Sequence, residues 1–278
     1  MYKTSVITDE ISQNLRTAAA VACEYGLNGL EIRTVDGKNP FQLTLEAART
    51  IKQIAEDHGL AICAVASPMY KCAFTDLGTR KQHEEAFTRF METMVLWNCK
   101  RLRTFDFLAN TGGETHREEI AALYHHLADT AQNAGVTLLL ESEIQVTSAN
   151  FALLKDFLQK LNRANVQAVY DPGNEAADLS APAAYPDGYA CIKPWMGHVH
   201  IKDVLKGPKR ISVPLGDGDV DFHGVLAALK QDAYNGWVSV ETRLRLPTGV
   251  RKQFSDGGEA ATRLYLDRLR DLYRWMDE

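Results

Sequence analysis

The sequence predicts an α/β chain folded as a single (β/α)8 TIM barrel over residues 1–278. Three observations carry that expectation. Short apolar runs alternate with amphipathic helical segments, the pattern of parallel strands joined by crossovers. About eight such units fit into 278 residues, which is the size of that barrel. The turn after the first run, TDEISQN, holds no glycine, whereas an open doubly wound sheet usually places a glycine-rich phosphate turn there.

Taken in order, TSVITDEI (4–11) reads as the first strand, and the helix NLRTAAAVACEYGL follows, capped near Gly26. GLEIRTV (29–35) is strand two. FQLTLEAARTIKQIAEDHGL is a helix ending at Gly59, and LAICAVASP is strand three, stopped by Pro68. TRKQHEEAFTRFMETMVLWNC is helical, RLRTFDFL (101–108) is strand four, and ETHREEIAALYHHLADTAQNAG is a helix ending at Gly135. VTLLLESE is strand five, TSANFALLKDFLQKL a helix, and VQAVYDP strand six. Residues 174–196 hold three prolines and room for only a short helix. GHVHIKDV (197–204) is strand seven, and KGPKRISVPLGDGD a loop. The helix DFHGVLAALKQDAY, strand eight GWVSVE and a closing helix from Gly257 to Met276 complete the chain.

Composition bounds the function. The chain is 45% hydrophobic, enough for a sizeable core, and its net charge of −5 comes from interspersed acids and bases. That offers no basic face for a nucleic-acid backbone and argues against an abasic-site endonuclease. Five cysteines, at 23, 63, 72, 99 and 191, form no CxxC pair and read as reduced thiols of a cytoplasmic protein. The N-terminus lacks a signal-peptide pattern, and no apolar run approaches the ~18 residues that span a membrane.

Four strand candidates end on residues that fit poorly as structural ones. GWVSVE ends at Glu241, VTLLLESE carries Glu141, VQAVYDP carries Asp171, and GHVHIKD carries His200. A carboxylate at the end of a buried strand costs several kcal/mol, roughly, unless it is paired, hydrogen-bonded or metal-bound. In a barrel all four fall at the C-terminal rim, where active sites sit. Side-chain alternation supports an inward register. With these four pointing in, Leu138, Leu140, Ala168, Tyr170, Val199, Ile201, Val238 and Val240 point toward the helices, and Thr137, Gln167, His198 and Ser239 point in. Taken singly, each acid is as well explained by a salt bridge. Together, two Glu, one Asp and one His suit Mn²⁺, Mg²⁺, Co²⁺ or Zn²⁺ with positions left for substrate oxygens, and three crowded carboxylates need a cation.

The stretches LLLESE, YDPGN, HVHIKD and PLGDGDVDF…GWVSVE resemble the sugar-phosphate isomerase/epimerase family with the xylose-isomerase-like barrel, most clearly over residues 135–245. The resemblance implies Glu141, Asp171, His200 and Glu241 as ligands of a divalent metal. In the family's ketose 3-epimerases the two glutamates also exchange protons with substrate, which makes Glu141 and Glu241 the candidate acid/base pair. A metal bound to a carbonyl and a neighbouring hydroxyl acidifies the C–H between them, so that one carboxylate removes the proton to give a metal-stabilised enediolate and the other returns one. The chain departs from tagatose/psicose-type epimerases at three positions, with Thr147 in place of Glu, Asn174 in place of His and Lys206 in place of Arg.

Around this set, Arg33, Lys71, Arg103 and Lys202 sit near predicted strand ends and suit a substrate hydroxyl, carboxylate or phosphate. Lys71 and Lys202 stand out because each lies just past an apolar strand. Asn174 and Glu143 join the substrate-side candidates, while His198, one layer deeper, reads as a satisfied core histidine. The expectation is an enzyme, a metal-dependent isomerase or epimerase acting on a small sugar or polyol ketone. A dehydratase of 3-dehydroshikimate or an inosose on the same site is the alternative, and a non-catalytic sugar-binding barrel is a third. A homo-oligomer is compatible with the sequence.

Overall fold

Eight parallel strands close on themselves in a computed structural model that describes residues 2–207, 211–244 and 258–277, the side chains of 275–277 excepted. The barrel strands are β1 (Lys3–Ile7), β2 (Gly29–Ile32), β3 (Ala61–Ala66), β4 (Arg101–Thr104), β5 (Thr137–Glu141), β6 (Val166–Tyr170), β7 (Met196–Ile201) and β10 (Trp237–Val240). They follow chain order around the barrel, and β1 pairs with both β2 and β10 to shut it. A small antiparallel hairpin of β8 (Val204–Leu205) and β9 (Ile211–Ser212) stands outside the barrel.

Local chemistry sets where the helices begin. Asn14, Thr44, Asp76, Asn150 and Asp221 each accept a backbone N–H at the starts of α1 (Leu15–Glu24), α2 (Leu45–Asp57), α3 (Leu77–Leu96), α5 (Phe151–Leu161) and α8 (Phe222–Gln231). Gly26, Gly59 and Gly135 adopt positive φ just past α1, α2 and α4 (Arg117–Asn133), as the sequence predicts for left-handed caps. The last helix, α9, spans Glu259–Asp277; the predicted start at Gly257, residues 208–210 of the predicted loop and the polar stretch at 245–249 lie outside the described residues.

The predicted outward set behaves as a barrel wall. Leu138, Leu140, Ala168, Tyr170, Val199, Ile201, Val238 and Val240 all belong to one apolar cluster with the inner faces of the helices. Each fully buried Val, Leu or Ile there contributes roughly 1.5–3 kcal/mol. The barrel interior is partly polar, with Ser5, Glu31, His198 and Ser239 buried beside Leu139 and Val169. Ser239 pairs in register with Ser5 on one side and His200 on the other, and the two serine hydroxyls lie 2.6 Å apart.

Several predicted strands are shorter than read. Strand one stops at Ile7, because Thr8–Glu10 winds into a 3-10 turn that aims Asp9 and Glu10 at Arg33. Strand two stops at Ile32, and strand four at Thr104, with the chain turning at Phe107, where φ is 72°. Strand seven stops at Ile201 because Asp203 turns the chain: its carboxylate accepts the N–H groups of Val204, Gly216 and Gly218 at 2.8–3.0 Å. A Cβ on Gly218 would meet that carboxylate at 2.0 Å, which accounts for the Gly-Asp-Gly sequence of this loop. The predicted loop contains β9, and the region 174–196 holds more helix than expected: α6 (Pro172–Ala177), a π turn at Ala184–Gly188, α7 (Tyr189–Ile192) and a 3-10 turn at Lys193–Trp195.

Candidate metal centre

Four successive strands around the barrel deliver one donor each. Glu141 ends β5, Asp171 follows β6, His200 lies one residue before the end of β7, and Glu241 follows β10. Their donor atoms all lie within 4.8 Å of one another. His200 Nδ1 is 3.3 Å from Glu141 Oε1 and 3.8 Å from both Asp171 Oδ2 and Glu241 Oε2. All four side chains are buried, the most accessible, Glu241, being only 5% exposed.

Three buried carboxylates at such spacing need cations, and the protein supplies several. Lys202 Nζ lies 2.6 Å from Asp171 Oδ2 and 2.8 Å from Glu241 Oε2. Arg33 Nη1 donates to Glu241 Oε1 at 2.9 Å, and Arg103 Nη1 to Glu141 Oε2 at 3.0 Å. Asn174 Nδ2 donates to Glu141 Oε1 at 3.2 Å, while its backbone N–H caps Asp171 Oδ1 at 2.9 Å. Burial alone would push the Glu241 and Asp171 acids up, but Lys202, with Arg33 and His200 beside Glu241, holds Glu241 well below the usual carboxylate range and lowers Asp171 too. Burial opposes a charge on His200, yet Glu31, Asp171 and Glu141 outweigh it and hold its proton well above the usual range.

The residues fit a divalent ion. Metal–ligand bonds of about 2.0–2.2 Å put neighbouring donor atoms roughly 3 Å apart, close to the spacing around His200 Nδ1. Asp171 Oδ2 is buried, and among the described residues the Lys202 ammonium at 2.6 Å is its ion-pair partner without a well-directed hydrogen bond. Carboxylate and imidazole donors without thiolate suit Mg²⁺, Mn²⁺, Co²⁺ or Zn²⁺. A proton and a metal compete for His200.

Above the donors opens a cavity of about 70 Å³. All the substrate-side candidates named from the sequence line it: Arg33, Lys71, Arg103, Glu143, Asn174 and Lys202. Lys71 pairs with Glu143 and lies 4.7 Å over the Phe105 ring. Arg243 joins the lining; no sequence pattern marks it, because it stands two residues past Glu241 where the chain turns polar. Asp9 and Glu10, which hold Arg33, are likewise unmarked, since they fall inside the predicted first strand.

A further residue missed by the sequence reading lies below the donors. Glu31, in β2 and 1% exposed, meets His198 Nε2 at 2.8 Å and His200 Nε2 at 3.1 Å. The signal is a single acid inside the apolar run GLEI. His198 is only half satisfied, because its buried Nδ1 has no hydrogen-bond partner among the described residues. Burial lowers the His198 pKa against the pull of Glu31, and burial pushes the Glu31 acid up, yet the two histidines hold it well below the usual range.

Comparison with known proteins agrees with the architecture. The family model described as xylose isomerase-like TIM barrel matches residues 19–271. An inosose dehydratase from Yersinia enterocolitica is 23% identical over 221 residues, covering 69% of this chain and 72% of that enzyme. A 3-keto-D-glucoside 4-epimerase from E. coli superposes with TM-score 0.74 at 17% identity, over 99% of this chain and 100% of that one. The IOLI protein, solved with a zinc atom, superposes with TM-score 0.76 at 21% identity over 97% of both chains. At these identities the structural likeness speaks for the fold. With its model matched from residue 19 to 271, the chain belongs to the xylose isomerase-like TIM-barrel family.

Proposed function

We propose that the chain is a divalent-metal-dependent isomerase or epimerase of a sugar or sugar phosphate, with Glu141, Asp171, His200 and Glu241 as the metal ligands. The observation that carries this reading is the meeting of four donor atoms within 4.8 Å at the floor of a cavity lined by cations. A bound divalent ion supplies Lewis acidity that weakens the C–H next to a substrate carbonyl. Glu141 and Glu241, three strands apart in the barrel, flank the cavity. One carboxylate takes the proton from that carbon and the other returns a proton from the opposite face. Arg33 and Arg103 hold the two carboxylates in place, Lys71 presents a donor to substrate oxygens, and Asn174 lines the substrate side with its amide donating to Glu141 and to the Ser142 carbonyl.

The departures from tagatose/psicose-type enzymes favour a substrate other than a free ketohexose. Thr147 turns its hydroxyl to the Phe107 carbonyl, and Asn174 turns its amide to Glu141. Lys206 is exposed on the β8–β9 hairpin side, with its backbone N–H donating to Asp219.

A specific observation keeps dehydration of an inosose or 3-dehydroshikimate as a second reading. The buried ammonium of Lys202 lies beside Glu241 and Asp171, where it could protonate a departing hydroxide, and the Yersinia relative is an inosose dehydratase. Incubating the metal-loaded protein with candidate ketoses, inosose and dehydroshikimate in D₂O separates the readings. We expect deuterium at the carbon next to the carbonyl in a product that keeps every oxygen. A product that has lost water overturns the isomerase reading.

A further inference from the structure

Glu31 stands in β2, across the barrel interior from β7, and its carboxylate is 1% exposed. A lone acid there costs several kcal/mol, roughly, unless its charge is answered. Two imidazoles answer it. Oε2 accepts from His198 Nε2 at 2.8 Å, and Oε1 accepts from His200 Nε2 at 3.1 Å. Ser239 Oγ lies 3.0 Å from His198 Nε2 and 2.6 Å from Ser5 Oγ, completing a polar floor beneath the donor set.

The orientation of each ring follows from which nitrogen faces Glu31. A neutral histidine giving its Nε2 proton to a carboxylate keeps a lone pair on Nδ1, and for His200 this is the state left once a metal takes the place of the second proton. For His200 that lone pair lies on the side of Glu141, Asp171 and Glu241. For His198 the other nitrogen is buried without a partner among the described residues, as suits an unprotonated Nδ1. Glu31 therefore sets both rings at once, and His198 holds the carboxylate that serves His200.

We propose that Glu31 is a positioning residue for the metal centre: it fixes the tautomer and ring plane of His200 and raises the basicity of Nδ1, with His198 anchoring Glu31 from the other side. This rests on the reading of Glu141, Asp171, His200 and Glu241 as the metal ligands. The competing arrangement makes Glu31, His198 and His200 ligands of a second ion, since their donor atoms also lie within 4.8 Å of one another. That arrangement requires both Nε2 atoms to give up the protons that now serve Glu31, and His200 to bridge two cations.

The test is calorimetric titration of chelator-treated protein with Mn²⁺ and Zn²⁺, comparing wild type with Glu31→Gln and His198→Gln. We expect one ion per chain in the wild type, weakened ~10–100-fold in Glu31→Gln and by less in His198→Gln. A merely structural carboxylate would lower Tm in Glu31→Gln and leave the Kd of the metal unchanged, which overturns the proposal. Two ions per chain in the wild type, with one lost in Glu31→Gln, overturns it in favour of the second site. A wild type that binds no ion overturns the metal reading itself, along with this inference. Should Glu31→Gln fail to fold, NMR of zinc-loaded wild type carrying ¹⁵N-histidine decides the same question. We expect a protonated Nε2 and an unprotonated Nδ1 on both His198 and His200; a proton on His200 Nδ1 overturns the proposal.

Discussion

The rim of the barrel is divided into two halves of unlike chemistry. The half built from β5, β6, β7 and β10 carries the donors Glu141, Asp171, His200 and Glu241, none more than 5% exposed. The half built from β2, β3 and β4 carries cations on long arms: Arg33, Lys71 and Arg103, with side chains 18%, 33% and 10% exposed. Each cation meets an acid from the other half, Arg33 with Glu241, Lys71 with Glu143 and Arg103 with Glu141. The donors are short and sit within a residue of a strand end, so the backbone places them. On the proposed reading the donor half would hold the metal, and the cationic half holds the acids through its ion pairs.

The largest expected effect comes from disabling the donor half. Glu241→Gln keeps the shape of the side chain but removes its basicity, and turnover of the substrate found in the D₂O panel should fall ~10²–10⁴-fold. Turnover within a few-fold of wild type would break the assignment of the proton-transfer pair. Removing a buried cation comes next. Arg103→Met leaves Glu141 buried without its guanidinium, and loss of such a partner costs about 3–5 kcal/mol. A chemical-denaturation midpoint that does not move would show that the two halves are not coupled through this ion pair.

The donor half also holds a buried acid, Glu175, that makes no ion pair among the described residues and accepts far fewer hydrogen bonds than the equally unpaired Asp203. Glu175, in α6, accepts only the Phe151 N–H, at 2.8 Å, and burial pushes its pKa up to about 7 from 4.5. A raised acid contributes stability below pH 4.5, and that contribution is lost as pH rises through about 7. Glu175→Gln should therefore stabilise the protein at pH 8 by about 1–3 kcal/mol and have little effect at pH 4.5. Thermal melts at the two pH values read this directly, and equal shifts at both would rule out the burial argument. The smallest effect is expected at the exposed edge. Lys71→Ala breaks a partly solvated pair worth under about 1 kcal/mol, so Tm should barely change, while KM rises through the lost contact with substrate. A large fall in Tm with KM unchanged would move Lys71 from substrate side to scaffold.

The same division explains what is legible in the sequence. Glu141, Asp171, His200 and Glu241 stand out because each breaks an apolar run of period two, and strand order alone brings them to one rim. Arg33, Lys71, Arg103 and Lys202 can be named as cations near strand ends, but their acid partners lie on other strands, far away in sequence, and no local pattern encodes such a pairing. Glu31 is hidden for the same reason, since its role depends on two histidines 167 and 169 residues further along the chain. Asp203 closes the motif HVHIKD, yet its work as acceptor for the Gly-Asp-Gly loop depends on how that loop returns, and the β8–β9 hairpin is hidden with it. Strand four reads too long because Phe105, Phe107 and Leu108 continue the apolar run past the last ladder bond into a rim turn, whereas strands one and two end where the polar residues Thr8–Glu10 and Arg33–Thr34 turn the chain at the rim.

The metal content of the purified protein tests the proposed centre most directly. Elemental analysis of the wild type after reconstitution and desalting should give one divalent ion per chain, and His200→Ala treated in the same way should give none. A wild type that emerges with no ion, or a His200→Ala protein that retains it, would contradict the claim that these four side chains form a metal centre.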